Sequence, residues 1–188
     1  MAGKLIIVAA PSGSGKTSIV KHLLQEKLNL SFSVSATTRA KRPNETDGVD
    51  YFFISETDFK AKIADNQFLE WEEVYNGTFY GTLKSEVDKS LAEGKNLIFD
   101  VDVMGGINIK KIYGEQALSI FIKAPTLEEL KQRLLSRGTE DETSLQKRLS
   151  KAEFELSHEP LFDCTIINDN LEEARTETVR IISEFFNK

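Results

Sequence analysis

A loop rich in glycine and serine stands near the start of the chain, directly after an apolar run. The run from Leu5 to Ala9 is typical of a buried strand, and a helical pattern begins where the loop ends in Gly15-Lys16-Thr17. In such a loop the glycines let consecutive backbone N–H groups curve around an anion, and the following helix adds the positive end of its dipole. The pattern therefore predicts a loop that binds the phosphates of a nucleoside triphosphate.

Two side chains of the loop would carry its chemistry. We expect the Lys16 ammonium to reach the β and γ phosphates and the Thr17 hydroxyl to bind a Mg²⁺ ion. A strand, a flexible turn and a surface lysine are the alternative, but the strand before the loop and the helix after it are the context that the motif requires. Ala10 stands where the motif has its first glycine. We expect a negative φ there, because a left-handed backbone would cost an alanine about 1–2 kcal/mol.

The arginines of the chain are few and clustered. Of seven arginines, against seventeen lysines, five fall in three places: Arg39 with Arg42, Arg133 with Arg137, and Arg148. The spacing of four residues puts Arg133 and Arg137 on one face of a helix. Because a guanidinium binds phosphate with two parallel hydrogen bonds, we interpret these arginines as anion clamps, with solvated surface charge as the alternative.

Composition limits the classes of protein to consider. The 188 residues are 40% hydrophobic and 29% charged, as in a soluble globular protein. A net charge of −6 argues against a general binder of nucleic acid or of anionic membranes, since such proteins normally carry a basic excess. The N-terminal apolar run is too short for a signal peptide or a membrane span. The lone Cys164 favours a reducing compartment, the cytoplasm, and its setting beside Ile166 and Ile167 favours a small buried hydrophobe over a reactive thiol.

Strand-like apolar runs alternate with amphipathic stretches along most of the chain. This rhythm predicts an α/β fold with a largely parallel sheet flanked by helices. The spacing of Thr126 and Glu129 is that of a capping box, which supports the start of one helix. The predicted strands are Leu5 to Ala9, Leu97 to Val101, Leu118 to Ile122 and Cys164 to Ile167. The predicted helices are Lys16 to Leu28, Lys84 to Glu93, Thr126 to Ser136, Ser144 to Ser157 and Leu171 to Phe186.

Two stretches interrupt this alternation. From Ser31 to Thr82 the sequence is β-rich and aromatic, which predicts an inserted subdomain with its own small sheet, and Asn76-Gly77 is a strong signal for a hairpin turn. The polar stretch from Gly138 to Thr143 lies between two predicted helices that carry arginines. The tip of a mobile lid and a plain loop between helices would both look like this.

Further sequence blocks follow the phosphate loop Ser12-Gly13-Ser14-Gly15-Lys16-Thr17. They are Phe32-Ser33-Val34-Ser35-Ala36-Thr37-Thr38-Arg39 with Arg42-Pro43, Gly48-Val49-Asp50-Tyr51-Phe52-Phe53, Phe68-Leu69-Glu70-Trp71, Tyr80-Gly81-Thr82, Asp100-Val101-Asp102, Arg137-Gly138, Lys147-Arg148-Leu149 and Ile167-Asn168-Asp169. Together these blocks resemble the guanylate kinase family, whose order they follow from residue 5 to residue 169. Ala10 and the pair Gly105-Gly106 depart mildly from the family's pattern.

The resemblance implies a reaction, a cofactor and a division of the chain. The reaction is phosphoryl transfer from ATP to GMP, and to dGMP, with Mg²⁺, in purine nucleotide metabolism. The division is a core of the P-loop NTPase type at residues 1–34, 83–125 and 159–188, a GMP-binding subdomain at 35–82 and a helical lid region at 126–158. Whether the chain is a monomer or a homo-oligomer stays open.

The resemblance also implies roles for particular residues. Those expected to contact ATP are Ala10, Pro11, Ser12, Gly13, Ser14, Gly15, Lys16, Thr17, Ser18, Arg133, Arg137 and Asn168. Those expected to bind GMP are Ser35, Glu70, Thr82 and Asp100 at the base, Arg39, Arg42, Tyr51 and Tyr80 at the phosphate, and Gly81 beside them. Catalysis is assigned to Lys16, Arg39, Arg137 and Arg148, and Mg²⁺ to Thr17 and, through water, to Asp100.

Part of this chemistry can be argued without the resemblance. A carboxylate at Glu70 would accept hydrogen bonds from N1–H and the N2 amine of guanine, whereas the bare N1 lone pair of adenine would face the same charge. An ordinary strand glutamate is the alternative for Glu70. For Tyr51 and Tyr80 the alternative is that they are core aromatics of the small sheet. For Asp102 the alternative to a place near Mg²⁺ or its waters is that it caps the next loop.

Two other functions remain open at this stage. A non-catalytic guanylate kinase-like module that binds partner proteins would have no need for Lys16 or Thr17, which this chain has. A kinase of another phosphorylated small molecule would not need the base-facing set Ser35, Glu70 and Thr82.

Overall fold

The structure is a computed structural model that describes residues 3–75, 77–136 and 142–187. Within these ranges, none of the helices combines the length and the apolar character that crossing a membrane requires. In chain order the strands and α-helices are β1 (Leu5–Ala9), α1 (Lys16–Leu23), β2 (Leu30–Phe32), β3 (Ala36–Thr37), β4 (Phe52–Phe53), α2 (Glu56–Ala64), β5 (Phe68–Tyr75), β6 (Thr78–Leu83), α3 (Lys84–Ala92), β7 (Asn96–Val101), α4 (Val103–Tyr113), β8 (Ala117–Lys123), α5 (Leu127–Leu135), α6 (Glu142–Leu156), β9 (Cys164–Ile167) and α7 (Leu171–Phe186).

The larger sheet is parallel and has β1 near its middle. Within the described residues its five strands lie in the order β2-β7-β1-β8-β9. Side chains alternate between the two faces, so Ile6 and Val8 pack with α1 and α7 while Leu5 and Ile7 pack on the side of α3 and α4. All residues of β1 are buried because helices cover both faces. The predicted α/β class with a parallel sheet is confirmed.

A second, smaller sheet has a core of its own. Within the described residues its strands lie in the order β4-β3-β6-β5, with β5 and β6 antiparallel. The predicted hairpin is present, since Tyr75 pairs with Thr78 and Gly77 has φ 76°, although Asn76 lies outside the described residues. Phe59 from α2 stacks on Phe68 with ring centroids 4.3 Å apart and closes the apolar side of this sheet.

The boundaries of several elements differ from the predicted ones. Helix α1 ends at Leu23 instead of Leu28; residues 24–28 form turns and bends, and Asn29, whose φ of 52° is left-handed, leads the chain into β2. Helix α5 begins as predicted: the Thr126 hydroxyl accepts the Glu129 N–H at 3.0 Å. In a full capping box the Glu129 carboxylate would also accept from the backbone N–H of Thr126. Here it accepts instead from the Arg133 side chain, at 2.9 Å.

Two helices were not predicted at all. Helix α4 contains Gly105 and Gly106, and each glycine costs a helix about 1 kcal/mol relative to alanine. Burial of Val103, Ile107 and Ile109 offsets that cost. Helix α2 lies in the stretch that was expected to be β-rich.

Cys164 is partly buried against the core of the larger sheet. Burial raises the pKa of its thiol to about 11. The thiol is therefore neutral at pH 7, which agrees with the predicted apolar role.

Truncation of Phe59 should unfold the protein more easily. Phe59 is fully buried and touches two other rings of the small sheet, so Phe59→Ala is expected to lower the free energy of unfolding by about 3–5 kcal/mol. Urea unfolding followed by circular dichroism measures the loss. Phe154, which is 54% exposed, is the matched control, and Phe154→Ala should cost far less. Equal losses for the two variants would show that the small sheet has no core of its own.

Candidate active site

The predicted phosphate loop connects β1 to α1. Gly13 and Gly15 have φ of 94° and 90°, conformations that favour glycine. Ala10 is not among the described residues with positive φ, so the expected negative value is confirmed. The buried hydroxyl of Ser14 has no hydrogen-bond partner among the described residues. The loop therefore keeps a buried polar group available to a ligand.

Asn168 supports the loop from behind. Its side-chain amide donates to the backbone carbonyl of Ser14 at 2.8 Å. Gly15 allows this approach, because a Cβ at that position would lie 2.2 Å from the Asn168 amide nitrogen. Arg133 in turn donates to the carbonyl oxygen of Asn168 at 2.9 Å. Both residues, which the resemblance placed at the ATP end, are thus bound to protein groups that shape the loop.

Lys16 connects the loop to the end of β7. Its ammonium nitrogen lies 2.6 Å from Asp100 Oδ1 and 2.6 Å from the carbonyl oxygen of Val101. Parallel pairing causes this meeting, since the register aligns Ala9, just before the loop, with Val101. The carboxyl ends of parallel strands are where ligands bind in such sheets.

A cavity of about 480 Å³ opens over the loop. Helix α6 forms part of its wall, and Arg148 from this helix donates a hydrogen bond to the Ser12 hydroxyl. The residues that line the cavity are Ala10, Pro11, Ser12, Gly13, Gly15, Lys16, Thr17, Ser18, Asp100, Val101, Asp102, Arg148, Lys151 and Glu155. Arg137, the other predicted catalytic arginine of this region, lies outside the described residues.

A second cavity of about 430 Å³ adjoins the first. The two share Asp100, Val101 and Asp102, so they meet at the end of β7. The residues that line the second cavity are Phe32, Ser35, Tyr51, Glu70, Glu72, Tyr80, Gly81, Asp100, Val101 and Asp102. Most residues that the resemblance placed around GMP therefore surround one space.

Glu70 is the acid in this cavity with the most perturbed environment. Burial raises the pKa of its carboxyl group to about 7, although a hydrogen bond from Thr82 opposes the rise. Thr82 is buried and donates to Glu70 Oε1 at 2.6 Å, so it orients the carboxyl group. A Cβ at Gly105 would lie 2.9 Å from Asp102 Oδ1 and 3.2 Å from Glu70 Oε2, so a side chain at this position would crowd both carboxylates.

Arg39 does not itself line the second cavity but contacts Tyr51, which does. Its guanidinium is stacked on Tyr51, 5.4 Å from the ring centroid, and Tyr51 meets Tyr80 edge to face. It also forms a bidentate pair with Glu45 at 2.7 and 2.9 Å. Arg39 holds the pKa of the Glu45 carboxyl at about 2. The Arg42 backbone N–H donates to the same carboxylate at 2.8 Å.

Several charged residues of the site were missed from the sequence. Glu45 gave no signal beyond its place among polar residues. Lys151 and Glu155 could have been found, since they lie three and seven residues after Arg148, a spacing that puts them on one helix face. Asp102, for which a capping role was one alternative, does cap α4 through the Gly105 N–H at 2.6 Å and also lines both cavities.

The chain is similar to guanylate kinases over most of its length. The family model described as guanylate kinase matches residues 2–185. The guanylate kinase of Bacteroides fragilis is 56% identical over 182 residues, which cover 97% of this chain and 89% of that protein. The guanylate kinase of Bacteroides thetaiotaomicron is 53% identical over 188 residues, which cover 100% of this chain and 92% of that protein.

A solved structure has a similar fold. The crystal structure of guanylate kinase from Anaplasma phagocytophilum matches with a TM-score of 0.71 and 28% identity, covering 97% of this chain and 86% of that one. The resemblance that the sequence blocks indicated is confirmed, because the family match spans nearly the whole chain and the two Bacteroides relatives are more than half identical to it. The chain belongs to the guanylate kinase family and is an enzyme that phosphorylates GMP.

Proposed function

We propose that the chain transfers the γ-phosphoryl group of ATP to GMP or dGMP, with Mg²⁺, in cytoplasmic purine nucleotide metabolism. The observation that carries this proposal is the junction of two cavities at the end of β7, with the Lys16 ammonium beside Asp100 at that junction. Two nucleotides bound end to end would bring their phosphates together there.

ATP would bind over the phosphate loop. Backbone N–H groups of the loop and the N-terminus of α1 would hold its phosphates, and Arg148 already reaches Ser12 from the opposite wall. Asn168 and Arg133 would act by holding the loop in shape. We assign Arg137 to the same phosphates from the resemblance alone.

GMP would bind in the second cavity. Glu70, held by Thr82, would accept from N1–H and the N2 amine of guanine, with Ser35 beside it. Tyr51, Tyr80 and the guanidinium groups of Arg39 and Arg42 would hold the GMP phosphate. We include dGMP because these contacts involve the base and the phosphate, and none of them uses the ribose 2′-hydroxyl. Residues 35–82 are thus the GMP-binding subdomain of this proposal.

The donor set over the loop fits Mg²⁺. The Thr17 hydroxyl and the Asp100 carboxylate line the same cavity, and Mg²⁺ prefers oxygen ligands from one or two side chains, waters and substrate phosphates. No cluster of three or more acidic, histidine or cysteine side chains that could hold a metal occurs within the described ranges, which suits an ion bound mainly by ATP. Bound there, Mg²⁺ would neutralise charge on the β and γ phosphates.

Phosphoryl transfer requires the protein to position the two nucleotides and to neutralise negative charge. The acceptor is a phosphate oxygen that is already anionic, so no side chain is needed as a base. Lys16, Arg39 and Arg148 would offset the repulsion between the two nucleotides and the charge of the transferred group. The wall formed by α6, within the proposed lid region 126–158, would keep water from competing as acceptor.

Acceptor selectivity tests the proposal directly. We expect ADP release from ATP and Mg²⁺ with GMP and dGMP, and little release with AMP, UMP or no acceptor, because among these bases only guanine offers the Glu70 carboxylate an N–H and an adjacent amine together. A coupled ADP assay measures all five reactions. Release that does not depend on acceptor would indicate an ATPase, and no release at all would favour the protein-interaction module.

Removal of the Lys16 charge should stop turnover without unfolding the protein. Lys16→Met is expected to lower kcat about 100-fold or more, since the ammonium would act on charge that develops during transfer. Lys21→Met, at an exposed position of the same helix, is the matched control and should keep normal kcat. A near-normal kcat in Lys16→Met with unchanged circular dichroism would remove Lys16 from this role.

The KM for GMP should depend on pH through Glu70. A pKa of about 7 means that the carboxyl group is mostly protonated at pH 6 and mostly ionised at pH 8. Because the ionised form accepts from guanine, KM should fall about tenfold as pH rises across this range. Steady-state assays from pH 6 to pH 8 measure the slope.

The Glu70→Gln variant separates this titration from that of GMP itself. The second pKa of a phosphate monoester is about 6, so GMP contributes its own, smaller slope. In Glu70→Gln the KM for GMP should be high throughout and only the slope of the phosphate should remain. An unchanged profile in this variant would show that Glu70 does not bind the base.

A further inference from the structure

A salt bridge crosses the cleft between the two proposed nucleotide sites. The Lys151 ammonium nitrogen on α6 lies 3.3 Å from Glu72 Oε1 on β5. Lys151 lines the cavity over the phosphate loop, and Glu72 lines the adjoining cavity. Helix α6 also carries Arg148 of the proposed ATP site, and β5 carries Glu70 of the proposed GMP site.

Lys151 is placed among acidic groups. Burial raises the pKa of Glu72, and the Asp102 carboxylate beside it raises the pKa further. Burial likewise raises the pKa of Glu155, one turn along α6 from Lys151. Burial disfavours the charged form of Lys151, but the carboxylates of Glu72 and Glu155 outweigh it and raise its pKa. The ammonium therefore stays charged and is attracted toward β5.

We propose that Lys151 is a positioning residue whose ion pair with Glu72 holds α6 against β5 and so assembles the ATP side and the GMP side of the cleft together. On the same helix Arg148 donates to Ser12 of the phosphate loop and Glu155 lines the cavity over it, so the ion pair joins the small sheet to the wall of the ATP side. The inference rests on the proposed placement of ATP and GMP for its effect on kinetics, but the ion pair itself belongs to the free protein.

Kinetics of a double-mutant cycle test the pair. An exposed ion pair contributes little free energy, so Lys151→Met and Glu72→Gln should each raise KM for both nucleotides about two- to fivefold, with a smaller change in kcat. The double variant should be no worse than either single one, because the two changes break one interaction. Lys151→Arg should keep near-normal KM values.

Lys60 provides the matched control. It is also 58% exposed and pairs with Glu56 at 2.6 Å, but both residues lie on α2 and the pair does not cross the cleft. Lys60→Met should leave both KM values unchanged. If Lys151 instead bound a nucleotide phosphate, Glu72→Gln would not raise KM and the cycle would be additive, which would overturn the proposal.

A distance measurement on the free protein separates this inference from the proposed function. Spin labels are placed at two exposed positions, Ala64→Cys on α2 and Glu153→Cys on α6, in a Cys164→Ser background. Because α2 packs on the small sheet that contains β5, the distance between the labels reports the separation of α6 from that sheet. We expect Lys151→Met to lengthen or broaden the distance distribution and Lys60→Met to leave it unchanged. An unaltered distribution in Lys151→Met overturns the proposal whatever the kinetics, whereas absent ADP release would count against the ATP and GMP assignment alone.

Discussion

The site depends on the parallel pairing of β1 with β7. The register sets Val8 beside Asp100 and Ala9 beside Val101, so the phosphate loop and the acidic end of β7 emerge side by side. Lys16, the first residue of α1, can then reach back to Asp100 and to the Val101 carbonyl at 2.6 Å each. A slip of β7 by one residue would turn Asp100 to the opposite face of the sheet and separate it from the lysine.

Charge balance is the second constraint on this cleft. The chain has a net charge of −6, yet the proposed substrates are anions, so cations must be held at fixed places against an acidic background. Carboxylates do this: Asp100 holds Lys16, and Glu45 holds Arg39 with two hydrogen bonds. A long cationic side chain that is already ordered loses less rotamer entropy when it binds a phosphate. In the proposed function these acidic residues would therefore serve anion binding by positioning the cationic donors.

Much of the fold could be predicted because local signals were strong. The apolar runs of β1, β7, β8 and β9, the glycine loop and the capping threonine of α5 each have a local physical cause. Helix α4 lacked such a cause: its two glycines oppose helix formation, and burial of Val103, Ile107 and Ile109 against the sheet decides the outcome. Glu70 and Thr82 were predicted within one site, and their hydrogen bond follows from antiparallel pairing of β5 with β6. Glu45 pairs with Arg39 six residues earlier, within an irregular loop that has no periodic pattern, and Lys151 pairs with Glu72 across the tertiary fold. Spacing along the chain therefore revealed neither pair.

Asp102 shows why a structural role and a functional one need not exclude each other. Its carboxylate accepts the Gly105 N–H at 2.6 Å and thereby starts α4, whose first turn then lies against Glu70. The same carboxylate lines both cavities and raises the pKa of Glu70 and of Glu72. A capping aspartate must sit at the N-terminus of its helix, and in this sheet that N-terminus directly follows β7, where the cavities meet. Because the end of the strand fixes both the cap and the site, one residue at this position fills both roles.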